Sequence, residues 1–291
     1  MKTLNIMTLA GLALAFGVSA RAQAYAVNDW YVHAPNATSI TNGNTSSATV
    51  NYGAVGATNA EQTYLWSYFA GNSTPVTLSN GQTLTFSASI SVDFSSASSR
   101  SIADFRFGLF DSASTRATTD VASFGTTRTS STVSGPREGW TGFYTGSVAS
   151  GSGSIFRRNA GTTSVFTSST NTASVALTSG ATNQTFSDNV GVALELSLTR
   201  TGNDLSVSGS FGGSSIVGSY VDYFASGYPA TFDAVGFYLG SQGTGGVATN
   251  SITISGATVT VIPEPSAFSL IAAACGTGVV CFRVARRPRR S

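Results

Sequence analysis

Apolar and polar residues alternate along many short segments of this chain, and turn residues separate those segments. The clearest case is PVTLSNGQTLTFSASISVDF, residues 75–94, in which an Asn80-Gly81 pair precedes a strictly alternating run. The apolar members of that run are Leu84, Phe86, Ala88, Ile90, Val92 and Phe94. A period of two is typical of a strand with one buried face. An Asn-Gly pair between alternating runs predicts a β-hairpin.

Four further segments carry the same pattern. DFRFGLFDS, residues 104–112, places Phe105, Phe107 and Leu109 on one face of a strand and Arg106, Gly108 and Phe110 on the other. VALELSLTRTGNDLSVSGSFGG, residues 192–213, predicts a hairpin that turns between Thr201 and Asp204, and FDAVGFYLG and NSITISGATVTVI supply two later strands. No stretch between residues 62 and 262 keeps a helical period. The pattern therefore predicts an all-β antiparallel sandwich of about ten strands or more.

The order of the segments adds a family resemblance. PVTLSNGQTLTFSASI, FRFGLFDS, GWTGFYTG, TRTGNDLSVSG and FDAVGFYLG follow one another along residues 61–261, and this succession resembles the concanavalin A-like (laminin G-like) jelly roll. The resemblance implies a jelly-roll-like fold with a concave sheet face at which such domains often bind glycans. A fold alone does not assign a function.

Residues 25–60 are polar and weakly patterned. They form either a first strand followed by a long loop or a lead-in to the sandwich. We expect Trp30 and Tyr31 to pack onto the sandwich.

The N-terminus is typical of a secretory signal peptide. Residues 1–24 begin with Lys2, continue with an apolar run from about Leu9 to Val18, and end with Ala20, Ala22 and Ala24. Small residues at the end of such a run predict cleavage, after either Ala22 or Ala24. We therefore expect the protein to be exported.

Composition and charge exclude two classes of function. Hydrophobic residues make up 41% of the chain and aromatic residues 11%, which is too apolar for a disordered stalk. Residues 25–262 contain eight arginines and twelve acidic residues. The body therefore has no basic surplus for binding phosphates, and we expect no nucleic-acid partner.

The sequence shows no active site. The body between the two ends has no cysteine, and its one histidine, His33, has no second ligand or catalytic partner, so we expect it at the surface or in a linker. Glycoside hydrolysis needs two carboxylates a fixed distance apart across the scissile bond. Glycanases of the jelly-roll group that this chain resembles usually carry them close together on one strand, whereas Glu61, Glu138 and Glu195 are far apart in sequence. Asp104 and Asp111 flank one strand and could bind calcium at a loop, but they do not make up a full calcium ligand set. We expect no enzyme activity, no cofactor and no metal.

Exposed aromatic residues favour binding over catalysis. The candidates are Arg106, Phe110, Trp140, Phe143, Tyr144 and Tyr238, provided that they share the concave sheet rather than the core. Trp140 and Tyr144 lie four residues apart and so would share a face of a regular strand. Of these residues, Arg106, Trp140, Tyr144 and Tyr238 are the predicted glycan-binding set.

The C-terminal stretch is VIPEPSAFSLIAAACGTGVVCFRVARRPRRS. Residues 267–282 form an apolar run that is shorter than a usual membrane span of about 20 residues. Five arginines follow it, Arg283, Arg286, Arg287, Arg289 and Arg290, and such a cluster favours the cytoplasmic side. The pattern predicts a short transmembrane segment with the body outside.

Pro263, Glu264 and Pro265 stand directly before this run. The triplet, the short apolar segment and the terminal arginine cluster closely resemble the bacterial PEP-CTERM sorting signal over residues 262–291. The resemblance implies processing near the triplet by exosortase, a membrane protease of Gram-negative bacteria that make exopolysaccharide. Cys275 and Cys281 are not part of that pattern, and are either small apolar residues or lipidation sites.

Together these observations predict an exported envelope or matrix protein that is anchored briefly in the inner membrane and associates with exopolysaccharide or another surface glycan. Two other hypotheses stay open. One is a glycan-cleaving enzyme of the concanavalin-like group, which would need Glu195 close to a second carboxylate. The other is a structural surface protein without a specific ligand.

Overall fold

The computed structural model describes residues 21–34, 37–52, 63–94, 99–101, 105–113, 116, 141–148, 151–158, 166, 172–174, 176–179, 185–239 and 249–263. The chain divides into two compact units, of which one is Ala24–Val261 and the other combines the ends Met1–Gln23 and Ile262–Ser291. Of the second unit, only residues 21–23 and 262–263 are described. Within the described part of the chain, no helix is long and apolar enough to span a bilayer.

The described residues form twenty strands. In chain order they are β1 (Gln23–Ala26), β2 (Asn28–His33), β3 (Ala37–Thr41), β4 (Ala48–Tyr52), β5 (Thr63–Tyr68), β6 (Val76–Thr77), β7 (Thr83–Phe94), β8 (Ser99–Ser101), β9 (Phe105–Asp111), β10 (Thr141–Val148), β11 (Gly151–Arg158), β12 (Thr172–Ser174), β13 (Ala176–Ser179), β14 (Thr185–Ser187), β15 (Val192–Thr201), β16 (Asp204–Phe211), β17 (Ser214–Tyr220), β18 (Thr231–Phe232), β19 (Ala234–Leu239) and β20 (Thr249–Ile262).

Two large sheets contain most of these strands. The nine-stranded sheet has the order β13-β17-β16-β15-β7-β20-β4-β3, and β1 also pairs with β20. The seven-stranded sheet has the order β12-β11-β10-β9-β19-β5-β2. Two short pairs, β14-β8 and β18-β6, complete the set. Every pair whose register is defined is antiparallel.

The core lies between the two large sheets. Phe86 of β7 packs against Phe237 of β19 with ring centroids 5.6 Å apart, and Phe105 of β9 stacks on Phe211 of β16 at 5.0 Å. Alternation along β7 is complete, since its apolar residues are buried while Thr83, Thr85, Ser87, Ser89, Ser91 and Asp93 are half-exposed. The predicted all-β antiparallel sandwich is therefore confirmed, as are the predicted faces of β7 and β9.

One predicted hairpin is correct and another is wrong. Strands β15 and β16 pair up to Thr201 and Asp204, with the turn where the sequence predicts it. The Asn80-Gly81 turn exists, with Gly81 at φ 75°, but it does not join a hairpin. Strand β6 pairs with β18, and Leu78 donates its backbone N–H to the carbonyl of Ala230 at 2.7 Å. Because β15 and β20 occupy both edges of β7, β6 finds no free edge there.

The N-terminal part of the body belongs to the sheets. Strands β1 to β4 supply the described part of residues 25–60, and Val50 and Tyr52 are buried in the core. Trp30 packs against Phe237 at 5.7 Å and Tyr31 stacks on Trp66 at 5.9 Å, which confirms the expectation for both residues. The expectation for His33 was wrong, because this side chain is only 2% exposed and its ring lies 5.9 Å from that of Tyr64.

Candidate functional site

The outer face of the seven-stranded sheet carries a second cluster of aromatic residues, separate from the core. Strand registers place its residues in three rows, His33–Tyr64–Tyr238–Arg106, Tyr31–Trp66–Gly236–Gly108 and Tyr68–Ala234–Phe110. Phe156 and Phe166 pack against the same cluster. We call Tyr31, Tyr64, Trp66, Tyr68, Arg106, Phe110, Phe156, Phe166 and Tyr238 the aromatic face.

The rings of the aromatic face contact one another across strands. Tyr64 and Tyr238 lie side by side with centroids 4.6 Å apart, and Tyr31 contacts both Trp66 at 5.9 Å and Tyr68 at 6.0 Å. Tyr31, Tyr68, Phe156 and Tyr238 are half-buried, whereas Trp66, Tyr64, Phe110 and Phe166 are buried. The accessible part of the face is therefore its margin, and the buried rings hold that margin rigid.

Glycines form the middle of the face. Gly236 of β19 lies opposite Gly108 of β9, so two neighbouring strands present bare backbone there. The ring of Phe166 lies over this floor, since a Cβ at Gly236 would come within 3.1 Å of Phe166 Cζ and 3.3 Å of Phe110 Cε2. Phe166 also stacks on Tyr238 at 6.0 Å and meets Phe110 edge-on at 5.3 Å. A side chain at Gly236 would compete with the ring for this space.

Two guanidinium groups lie on the rings. Arg106 stands directly opposite Tyr238 in register, with its Cζ 5.8 Å from the ring centroid, and its Nη1 donates to the carbonyl of Phe166. Arg116 lies 4.3 Å above the ring of Tyr68. Its Nη2 donates to the buried carboxylate of Asp233 at 2.7 Å and to the carbonyl of Ala70. Cation–π contact of this kind holds the guanidinium plane against the ring.

The structure brings together two of the four predicted binding residues, Arg106 and Tyr238. The backbone of Tyr144 pairs with Gly108 and Phe156, at the level of the middle row, while its side chain and the whole of Trp140 lie outside the described residues. Phe143, also a candidate, belongs to the core, where it contacts Tyr220 and Tyr223. Phe110 lies on the aromatic face but is fully buried.

Sequence reasoning missed three members of this face although their pattern was present. TYLWSY, residues 63–68, places Tyr64, Trp66 and Tyr68 at every second position, and these are the three that β5 contributes. Strand β5 is buried on both sides, with Leu65 in the core. The alternate positions are Thr63, Leu65 and Ser67, and all three are buried, so the two hydroxyl residues do not mark a solvent face as the polar residues of β7 do.

Neither Glu195 nor Asp111 lies on the aromatic face. Glu195 is exposed on the nine-stranded sheet, where it lies between Ser87 and Ser210 in register, on the other sheet of the sandwich from the rings. Asp111 accepts hydrogen bonds from the backbone of Ala113 and the hydroxyl of Thr231, and Asp104 lies outside the described residues. No group of three or more His, Cys, Asp or Glu side chains that could hold a metal occurs in the described ranges.

No family model and no curated protein matches the chain. Among solved structures, the chain is similar to arcelin-5, a lectin-like defense protein from Phaseolus vulgaris (11% identity, 83% of this chain and 97% of that one, TM-score 0.40). It is also similar to a legume lectin-like domain from Entamoeba histolytica (8% identity, 78% and 89%, TM-score 0.38) and to a Bacillus subtilis protein of unknown function with a galectin-like fold (11% identity, 81% and 90%, TM-score 0.36). TM-scores this low transfer neither a ligand nor a residue role to this chain.

Proposed function

We propose that this protein is an exported, non-enzymatic bacterial surface or matrix protein whose body binds a glycan through the aromatic face. The observation that carries the proposal is the pair of half-buried tyrosines, Tyr31 and Tyr68, backed by Trp66 and flanked by Arg116. A sugar has an apolar face that can stack on an accessible aromatic ring, and hydroxyl groups that need hydrogen-bond partners. Half-exposed rings held by buried ones suit such a ligand. Neighbouring guanidinium groups supply donors that fix its orientation.

The glycan proposal predicts that tyrosines at the open margin carry the affinity. On a glycan array, the full chain should bind at least one polysaccharide, and Tyr31→Ala or Tyr68→Ala should weaken that binding. Removing a ring that a ligand buries costs ~1.5–3 kcal/mol, or roughly tenfold or more in Kd. The measurement is titration calorimetry with the best array ligand.

The matched control is Tyr228→Ala, which removes a tyrosine that is 36% exposed and lies outside the aromatic face. The urea unfolding midpoint of each variant separates lost binding from lost folding. Equal affinity in all three variants would exclude the aromatic face as the site. No binding to any glycan by the wild type would leave the structural-protein hypothesis in its place.

Export and sorting form the second part of the proposal. We infer that residues 1–24 direct secretion and that exosortase cuts near Pro263-Glu264-Pro265, which releases the body from an inner-membrane anchor to the cell surface or matrix. The support is the succession of triplet, apolar run and arginines along the sequence. Strand β20 ends at Ile262 and Pro263 follows at once. Proline has no N–H to donate and disfavours the helical conformation at the residue before it.

Replacing Pro263, Glu264 and Pro265 together by alanine should leave a longer, membrane-bound form of the protein. We expect this because the triplet is the element of the signal next to which processing is proposed. The measurement is immunoblotting of membrane and extracellular fractions from the producing bacterium. Ser266→Ala, which changes the neighbouring residue and not the triplet, should behave like the wild type. Unchanged size and fractionation of the triple variant would refute the sorting role.

A further inference from the structure

One end of the sandwich carries a patch of aromatic and aliphatic side chains apart from the aromatic face, in which Tyr223 is buried in the core and Tyr220 and Phe224 pack against that core. It consists of Tyr220, Val221, Tyr223, Phe224 and Tyr228 with Arg157 and Arg200, and we call it the tyrosine end. Residues 221–230 connect β17 to β18, and Phe224 donates its backbone N–H to the carbonyl of Asn203 at 3.0 Å. The patch therefore lies beside the turn that joins β15 and β16.

The patch is apolar but edged with guanidinium groups. Tyr223 contacts Phe224 at 4.9 Å and Tyr228 at 5.1 Å. The Cζ of Arg157 lies 3.7 Å from the ring centroid of Tyr228, and that of Arg200 lies 4.0 Å from the ring of Phe224. Val221 is 77% exposed and Tyr228 is 36% exposed. These are large apolar side chains that the described part of the sandwich leaves uncovered.

Charges of both signs lie at this end among the described residues. Asp204 and Asp222 are both exposed there, and the backbone of Asp222 donates to the carboxylate of Asp204 at 2.8 Å. Together with Asp111, whose charge also helps to raise the pKa of Tyr223, they offset Arg157 and Arg200. Burial raises the pKa of the Tyr220 and Tyr223 phenols above their usual value, so both rings stay neutral. The surface is therefore suited to an apolar and hydrogen-bonding partner rather than to a strongly charged one.

Strand β20 ends at the same end of the sandwich. The hydroxyl of Thr258 contacts that of Ser87 at 3.1 Å, whereas Asn250, near the start of β20, contacts Asp93 at 3.1 Å. The strands therefore run antiparallel, and Val261 lies level with the start of β7. The turn before β7 is bonded to Arg200, because Gly81 donates to its carbonyl at 2.9 Å and Arg200 donates back to Gln82 at 3.0 Å.

We propose that the tyrosine end rests on the lipid headgroups of the membrane that holds the chain before processing. This inference rests on the membrane segment of the proposed function. From Val261 to the apolar run at Ala267 the chain has six residues, which span at most about 20 Å, so an apolar run in the bilayer would keep the end of β20 within that distance of it. Tyrosine is enriched at membrane interfaces, and arginine places its stem along apolar surface with its charge in the headgroup layer.

Two exposed valines, one near each end of β7, provide labelling sites that test this orientation. Val221 lies at the tyrosine end, whereas Val190, 53% exposed, follows Asn189, which donates to Val92 near the other end of the strand at 2.9 Å. In full-length protein with Cys275→Ser and Cys281→Ser, Val221→Cys and Val190→Cys each accept one NBD fluorophore. Each labelled protein is reconstituted into phosphatidylcholine vesicles that contain a headgroup-nitroxide lipid.

We expect blue-shifted, nitroxide-quenched emission at position 221 and unquenched, water-like emission at position 190. If the protein floats with the vesicles and neither position is quenched, or both are quenched equally, the proposed orientation is refuted while the membrane segment stands. If the protein does not float with the vesicles, the membrane segment of the proposed function fails, and this inference fails with it. Glycan binding to the aromatic face is independent of all three outcomes.

Discussion

Gly142→Ala is expected to destabilise the sandwich by about 2 to 6 kcal/mol, a large part of the ~5–15 kcal/mol that folds an ordinary domain. Gly142 of β10 has φ 151°, and a Cβ there would lie 2.2 Å from the carbonyl oxygen of Leu109 and 2.8 Å from Phe110 Cα. Both are backbone atoms of the paired strand β9 and cannot rotate away. Overpacking costs ~1–3 kcal/mol, and a backbone conformation that alanine rarely adopts costs another ~1–3 kcal/mol.

Gly202→Ala is the matched control for this prediction. Gly202, in the turn between β15 and β16, also has a positive φ of 62°, but nothing lies within 4 Å of the Cβ position. In this variant the free energy of unfolding should fall only by the ~1–2 kcal/mol that a left-handed backbone conformation costs alanine. Urea unfolding of the full chain, followed by tryptophan fluorescence, measures both variants. Equal losses would show that the approach of β9 to Gly142 adds nothing beyond the backbone conformation.

Local alternation predicted the strands that have one polar face. Strand β7 is the example, because its hydroxyl side chains face outward and its apolar ones face the core along the whole strand. The same holds for β16, whose burial alternates from Asp204 to Phe211. In these strands polar residues that face solvent alternate with apolar residues that face the core. A period of two is therefore enough to assign both the strand and its buried face.

Pairing between distant strands could not be predicted in this way. The Asn80-Gly81 turn predicted a local hairpin between β6 and β7. The neighbours of β7 in the sheet are instead β15 and β20, whose residues lie about 100 or more positions later in the chain. His33 shows the same limit. As a lone polar residue it suggested a surface position, yet β2 lies against β5 so that His33 faces Tyr64 and is buried. Both outcomes depend on which strands meet, which local sequence does not specify.

The aromatic face was predictable only in part. The patterns of their own strands predict Arg106 and Tyr238 as binding residues, and the register of β9 with β19 places the two opposite each other. The glycine floor needed that register too, since Gly108 and Gly236 meet only when the strands pair. Phe166 lies in a segment without a strand pattern of its own. Its position over the floor is a tertiary contact with no local signal.

Asp233→Ala is expected to cost about 3–5 kcal/mol, because it removes one partner of a buried ion pair. Asp233 lies between β18 and β19 and is 2% exposed. Its carboxylate accepts from the backbone N–H of Ser112 at 2.7 Å, from the Ser112 hydroxyl at 2.6 Å and from Arg116 at 2.7 Å. Arg116 Nε is already buried without a hydrogen-bond partner among the described residues. Losing Asp233 therefore leaves a mostly buried cation without its counter-charge.

A double-mutant cycle with Arg116→Ala separates the two contributions of Asp233. If the ion pair dominates, Asp233→Ala should cost much less in the Arg116→Ala background, since no buried cation is then left unpaired. If the loss is the same in both backgrounds, the two bonds to Ser112 carry the effect and the ion-pair explanation is wrong. Asp93→Ala is the control for removing a carboxylate with an exposed hydrogen bond to Asn250, and should cost about 1 kcal/mol or less.

Arg116 also lies on the ring of Tyr68, so the ion pair with Asp233 helps to position the aromatic face. Asp233→Ala should therefore weaken glycan binding even where folding is retained. That result would link the stability of this ion pair to the geometry of the aromatic face.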